Sequence, residues 1–428
     1  MARRKSPTPT TRASRPKKAV RPATEHKGRK PRAKKVSKAT EPALPTAPAI
    51  DLQKLKVAIV CDWLTGTGGA ERVVLELHRL FPKAPIYTSQ YDKDPKIWNG
   101  GDWFKNADVR TTRLQHLPKR LKKFLPVLRA REFSRLDLSG YDLVITSAGA
   151  EAKAVKTGPD TKLVWYCHAP THYYWSRYEE YLKHPGFGAF DPLARAGLFS
   201  LVRPLRKWDH AAAQRPDLVI ANSSHIQSEI KKYYGRESVV VFPPVDTHRF
   251  QAADGTDRSD GRGRFGFVCA GRQTPYKRID LAVEACSRLR LPLTVIGNGP
   301  EHTRLTAMAG PSVRFLTNVS DKEFAHHFNL AQAFIFPGID DFGIVAVEAL
   351  SAGTPVIAYK AGGALDYIRP GATGEFFDEQ TADSLMKTLR AFRSEQYDSK
   401  AIVQHAETYS VSRFADNMTH VVQDFLAK

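Results

Sequence analysis

Residues 333–358 read AFIFPGIDDFGIVAVEALSAGTPVIA: a short apolar run, a Pro-Gly-acidic loop, a helical run and a second apolar run. The pattern predicts a buried strand at 333–336, a loop at 337–342, a helix opening at Gly343 and another strand from Pro355. Asp340 falls in the loop and Glu348 in the helix, eight residues on and a little over two turns away. Both can border one cleft at the carboxyl edge of a parallel sheet, where open α/β folds place their ligands. Between them Phe342, Gly343 and Ile344 supply the first free N–H groups of the helix, a seat for phosphate or for sugar hydroxyls.

Working outward, the same alternation continues on both sides. Towards the carboxyl terminus come a helix at 363–369, a strand at 374–377 and helices at 382–392 and 411–426. Towards the amino terminus, strands at 265–270, 293–296 and 313–316 each precede a helix. Before the polar, Gly-rich run QAADGTDRSDGRGR (251–264), the pattern repeats with strands at 56–64, 141–147, 163–167 and 217–222 and helices after Gly69, at 203–213 and at 225–233. Strands alternating with helices at this spacing imply right-handed crossovers and doubly wound parallel sheets. The expectation is an α/β chain of two Rossmann-like domains facing a central cleft. Its parts are a disordered basic tail (1–50), a first domain (51–245), a linker (246–264), a second domain (265–408) and a terminal helix (409–428) packing back on the first domain.

The chain has 428 residues, enough for two cores, and a net charge of +21. Fifteen Lys and Arg against Glu25 and Glu41 place +13 of that in the first 50 residues, which carry almost no large apolar side chain and so cannot offset the entropy of ordering. This tail reads as a tether to an anionic surface or as a solubilising extension; nucleic acid is the less favoured partner. It lacks the apolar core of a secretory signal. No run approaches the length of a membrane span. Cys61, Cys167, Cys269 and Cys286 lack metal-ligand spacing, which fits a reducing compartment without structural zinc. Residues 110–135 hold nine Lys/Arg and one Glu, with leucines at three- and four-residue intervals. They predict a basic amphipathic helix, limited in length by Pro118 and Pro126, able to lie on anionic head groups.

Three further groups carry chemistry. Arg272 and Lys277, in the loop GRQTPYKR after a buried strand, pair a guanidinium fork with a point-charge ammonium, which suits a diphosphate. Gly66, Gly68 and Gly69 form a strand-to-helix turn that allows backbone approach to a phosphate, although tight turns use glycine anyway. His168 sits past a strand end in CHAPTHYYW, where it can meet a sugar hydroxyl or serve the fold; His172, Tyr173, Tyr174 and Trp175 suit either an acceptor pocket or core packing.

Taken together, Asp340-x7-Glu348, GRxxxxKR upstream of it, the CHAP tetrapeptide and the glycine loop resemble the retaining, nucleotide-sugar-dependent glycosyltransferases of family 4, of the two-Rossmann-domain GT-B type. The usual first acidic residue there is Glu, whereas this chain has Asp340. The resemblance covers roughly residues 55–428 and is strongest over 271–377. It implies that Arg272 and Lys277 clamp the donor diphosphate, that Glu348 takes the ribose and Asp340 the sugar, and that the 342–344 amides flank the distal phosphate. It places Gly69 across the cleft, gives His168 a catalytic position, and lines the base slot with Gly297, Gly299 and Val319. It implies retention of anomeric configuration. Arg272, Lys277 and the helix amino end can neutralise the leaving charge by themselves, and the only DxD spacing near a strand, Asp92 and Asp94, reads as a turn, so no metal or cofactor is expected. The mannosyltransferase-like subgroup fits best, so the expected donor is GDP-mannose or a UDP-sugar and the acceptor a lipid-linked or saccharide precursor. The expected location is cytoplasmic, peripheral on the inner membrane face. Two alternatives stand beside this: a nucleotide-sugar epimerase of the same fold, and an anionic-surface or nucleic-acid binder led by the tail.

Overall fold

Thirteen short strands among the described residues assemble into two all-parallel sheets, as expected for apolar runs that are buried on both faces. The computed structural model describes residues 50–98, 103–117, 126–183, 185, 188–250 and 263–428. The basic tail, residues 251–262 of the linker and residues 118–125 of the basic stretch lie outside these.

The first sheet holds β1 (Val57–Cys61), β2 (Ile86–Thr88), β3 (Val109–Thr111), β4 (Leu143–Ala148), β5 (Lys162–Cys167), β6 (Leu218–Ala221) and β7 (Val239–Val240), in the order β3-β2-β1-β4-β5-β6-β7. The second holds β8 (Phe267–Ala270), β9 (Leu293–Ile296), β10 (Val313–Leu316), β11 (Ala333–Phe336), β12 (Val356–Tyr359) and β13 (Gly374–Phe377), in the order β10-β9-β8-β11-β12-β13. Strand order therefore reverses between β1 and β4 and again between β8 and β11. Loops leaving neighbouring strands at such a switch point run to opposite sides and open a crevice at the carboxyl edge. The glycine turn before the helix Gly69–Leu80 follows β1, the loop of Arg272 and Lys277 follows β8, and the loop of Asp340 follows β11.

Helices cover both faces of each sheet. The terminal helix Val411–Leu426 crosses to the first sheet, where Phe414, Met418 and Val422 join the core with Ile59 and Ile145. The crossing is pinned by Val245, whose N–H donates to the Tyr409 carbonyl at 2.9 Å. Residues 247–250 depart from a polar linker: they form a 3-10 turn whose Phe250 is fully buried in the second core against Phe328.

The basic stretch also departs from one amphipathic helix. Among the described residues of this stretch, Val109–Thr111 are an edge strand, Arg113–His116 a 3-10 turn with Leu114 buried, and Pro126–Arg135 an α-helix. Arg129, expected among the charges facing anionic head groups, is buried and donates to Glu151 at 2.8 Å. Leucine spacing alone cannot distinguish a helix from a strand-turn-helix succession when a proline falls inside it. β2 and β3 carry only three residues each, too few for a period-2 signal.

Candidate active site

One cavity of about 1360 Å³ opens between the two sheets at their switch points. Gly69, His168, Arg272, Lys277, Asp340, Phe342, Gly343 and Ile344 all line it. Across the gap the domains touch: a Cβ built on Gly69 would lie 2.7 Å from the Ile344 side chain.

Gly343 shows why the second half of the crevice folds as it does. It caps the helix Ile344–Ser351 at φ +92°, a left-handed value that L side chains avoid, and a Cβ there would come 2.7 Å from both the Phe336 ring and the Tyr367 hydroxyl. The helix behind it is apolar on nearly every face and buried, so its amino end is held rigidly at the cavity. Lys277 reaches Asp340 in an ion pair, with both side chains mostly buried. Burial alone would lower the Lys277 pKa, but Asp340 outweighs it and the ammonium is held above its usual value. Asp340 Oδ1, on the other side of the carboxylate, is buried with no hydrogen-bond partner among the described residues. An acceptor left this way costs about 1–3 kcal/mol unless something donates to it. Arg272 lines the same cavity and is exposed there.

Glu348 sits behind this pair and does not line the cavity. Its carboxylate accepts from Arg72 of the helix Gly69–Leu80 at 3.2 Å across the domain boundary; burial raises its pKa and Arg72 opposes the shift. Gly297, Gly299 and Val319 stand at the same carboxyl edge, beyond β9 and β10, but outside the cavity lining. Close packing explains the two glycines: a Cβ on Gly297 would come 2.3 Å from the Gly271 carbonyl oxygen, and one on Gly299 would come 2.4 Å from that of Gln273.

His168 Nε2 lies 2.8 Å from Ser147 Oγ, and burial lowers its pKa to about 4, so the ring is neutral at ordinary pH. Beneath it, buried Asp62 accepts from the N–H groups of Gly149, Ala150 and Ala152 at 2.8–2.9 Å. Burial first, and then Glu151, push its pKa up to about 6. The aromatic run mostly packs. Tyr174 is fully buried, Trp175 donates to Asp209 at 2.7 Å, and Tyr173 donates to Glu151.

His172 instead crosses to the second domain, 3.0 Å from Asp341 Oδ2, and Arg177 stacks over the Tyr276 ring at 4.0 Å. Burial would raise Asp341, but His172 and Arg177 outweigh it and hold its pKa at about 2. Ser223 Oγ donates to the Asp341 carbonyl at 2.5 Å, and the Ser224 N–H donates to Asp366 at 3.0 Å. Sequence reasoning missed Arg72, Asp341 and Arg177; only the second acidic residue of the DDFG run hinted at any of them. The Asp92-Asp94 spacing is a turn, in which Asp94 accepts from the Lys96 N–H at 3.0 Å. Among the described residues no group of three His, Cys, Asp or Glu is placed to hold a metal, and no helix is long and apolar enough to cross a membrane.

Two family models match in tandem: "Glycosyltransferase Family 4" over residues 67–249 and "Glycosyl transferases group 1" over residues 261–409. Among curated proteins, a D-inositol 3-phosphate glycosyltransferase of Streptomyces avermitilis is 30% identical over 246 residues, covering 48% of this chain and 52% of that one. A GDP-mannose-dependent alpha-(1-6)-phosphatidylinositol monomannoside mannosyltransferase of Mycolicibacterium smegmatis is 29% identical over 195 residues, covering 40% and 51%. The chain spans about half the length of the curated relatives it matches. The solved structure of Anabaena HepE in complex with UDP and glucose shares the fold, with a TM-score of 0.61, 17% identity, and coverage of 86% of this chain and 99% of that one. With the paired sheets, the switch-point cleft and the tandem models in agreement, the chain belongs to the glycosyltransferase family 4 group, of the two-Rossmann-domain GT-B type.

Proposed function

We propose that this protein transfers a hexose from a nucleoside diphosphate sugar to a hydroxyl of a glycolipid or polysaccharide-precursor acceptor, with retention of configuration. The observation that carries the reading is the Lys277–Asp340 pair, with Arg272 lining the same cavity and Asp340 Oδ1 without a donor among the described residues. As the anomeric C–O bond breaks, its electron pair passes to the leaving diphosphate oxygen. Arg272, Lys277 and the amino end of the helix Ile344–Ser351 stabilise that growing charge more than the ground state. The acceptor oxygen attacks on the leaving-group face, and its proton passes to the departing phosphate. Asp340 accepts a sugar hydroxyl; Lys277 holds its other oxygen, which disfavours a covalent role. Gly297, Gly299 and Val319 border the base, and Glu348 takes the ribose once Arg72 yields. GDP-mannose is the first donor to try, in keeping with the mannosyltransferase relative, and UDP-sugars the second.

The test is thermal unfolding of the full chain with GDP, UDP or ADP, since a ligand that binds only the native state raises the melting temperature. One diphosphate is expected to stabilise, and its hexose conjugate to be turned over equally with and without EDTA. No stabilisation by any diphosphate sinks the reading, and loss of turnover on chelation removes the metal-free clamp. His168→Gln should lower turnover yet leave the acid limb of the pH profile in place, because the ring stays neutral to about pH 4. A displaced limb would show that protonation of His168 governs the rate.

A further inference from the structure

The cavity does not end at the proposed donor clamp; it continues along the helix Asp191–Ala213. The carboxyl half of that helix is anchored by buried Val202, Asp209, Ala212 and Ala213. Its amino half stands in solvent with Leu193 72%, Phe199 69% and Leu201 46% exposed. Leu193, Gly197, Leu201 and Leu205 recur every four residues and so share one face, and all four line the cavity that contains Arg272 and Lys277. At 1.5 Å per residue the stripe is about 18 Å long. Pro126 and Val127, from the start of the helix Pro126–Arg135, line the same cavity. Water contact with so much apolar surface is unfavourable, and a patch of this kind continuous with a reaction cleft marks a binding face. The cations that line this cavity are Arg129, Arg177, Arg272 and Lys277, so an anionic group entering it meets positive charge beyond the apolar stripe.

We infer that this stripe holds the hydrocarbon chain of an anionic amphiphilic acceptor, lying lengthwise with its charged head towards the clamp. The inference rests on the proposed transferase reading and names the acceptor class. One chain in the cavity is favoured over a bilayer against the surface. The stripe faces the cavity, whereas Phe199 lies outside the lining, where a bilayer would meet it.

The experiment uses the full chain and two probes below micelle-forming concentrations, dodecyl phosphate and butyl phosphate, with binding read by calorimetry. Dodecyl phosphate is expected to bind at least about a hundredfold tighter than butyl phosphate, given the extra methylenes removed from water. Leu193→Asp and Leu201→Asp should each weaken dodecyl phosphate binding about tenfold or more, while Phe199→Asp leaves it unchanged. Leu193 is so exposed that its substitution leaves folding intact, and stabilisation by the nucleoside diphosphate should persist in all three variants. Equal binding of the two phosphates, or no loss in Leu193→Asp, overturns the inference. Loss in Phe199→Asp to the same degree as in Leu201→Asp overturns it in favour of a bilayer surface. Failure of the donor reading shows separately, as absence of nucleotide stabilisation in the unmodified protein.

Discussion

Lys277→Ala is expected to lower turnover by about 10²–10³-fold, the loss typical when one preorganised charge-stabilising group is removed from a reaction centre. The same change should also destabilise the fold, by about 3 kcal/mol, because it leaves the mostly buried Asp340 carboxylate without its cation. A double variant separates the two effects. In Lys277→Ala/Asp340→Asn the neutral amide removes the uncompensated charge, so urea unfolding should return towards the unmodified value while turnover stays low. If turnover recovers with stability, both the leaving-group role of Lys277 and the sugar contact of Asp340 are wrong.

Asp209→Ala should have the largest effect on stability of any change in the first domain, about 3–5 kcal/mol. Asp209 and Lys153 are both fully excluded from water and 2.6 Å apart. The carboxylate also accepts from Thr171 Oγ1 at 2.8 Å, Trp175 Nε1 at 2.7 Å and the Tyr234 hydroxyl at 2.7 Å. Removing it strands an ammonium in the core and three further donors with it. These donors fix the 171–175 loop, so His172 and Tyr173 should lose their places on the cavity wall. Replacing the pair together, as Lys153→Met/Asp209→Leu, should recover most of the stability, since a buried ion pair is often worth no more than apolar side chains of similar volume. Urea denaturation of the three variants checks this; a cost below about 1 kcal/mol for Asp209→Ala would show the pair to be solvated.

The second domain was legible because its information is local. Each strand there is a short apolar run closed by a loop, the Pro-Gly-acidic loop ends β11, and Gly343 marks the start of the next helix. The position of the loop holding Arg272 and Lys277 was legible for the same reason, since it follows β8 directly. What escaped reading depends on partners far apart in the chain. Glu348 meets Arg72, 276 positions away, and Asp341 meets His172, 169 positions away. No periodicity or spacing signals such a pair, because it exists only once two sheets face each other. The Lys153–Asp209 pair was hidden likewise: 56 positions separate two charged residues that composition alone would place at the surface. Gly297 and Gly299 show a second source of ambiguity: two loops passing at contact distance require glycine there whether or not a ligand lies alongside.

The central claim is that a nucleoside diphosphate is gripped between the loop after β8 and the amino end of the helix Ile344–Ser351. Calorimetric titration of the full chain and of Arg272→Ala with the stabilising diphosphate and its monophosphate tests it most directly. Arg272 is exposed in the cavity, so its loss leaves the core intact. The account predicts one site, at least about tenfold tighter binding of the diphosphate than of the monophosphate, and loss of that preference in the variant. Equal affinities in the unmodified protein, or an undiminished diphosphate preference in Arg272→Ala, would contradict it.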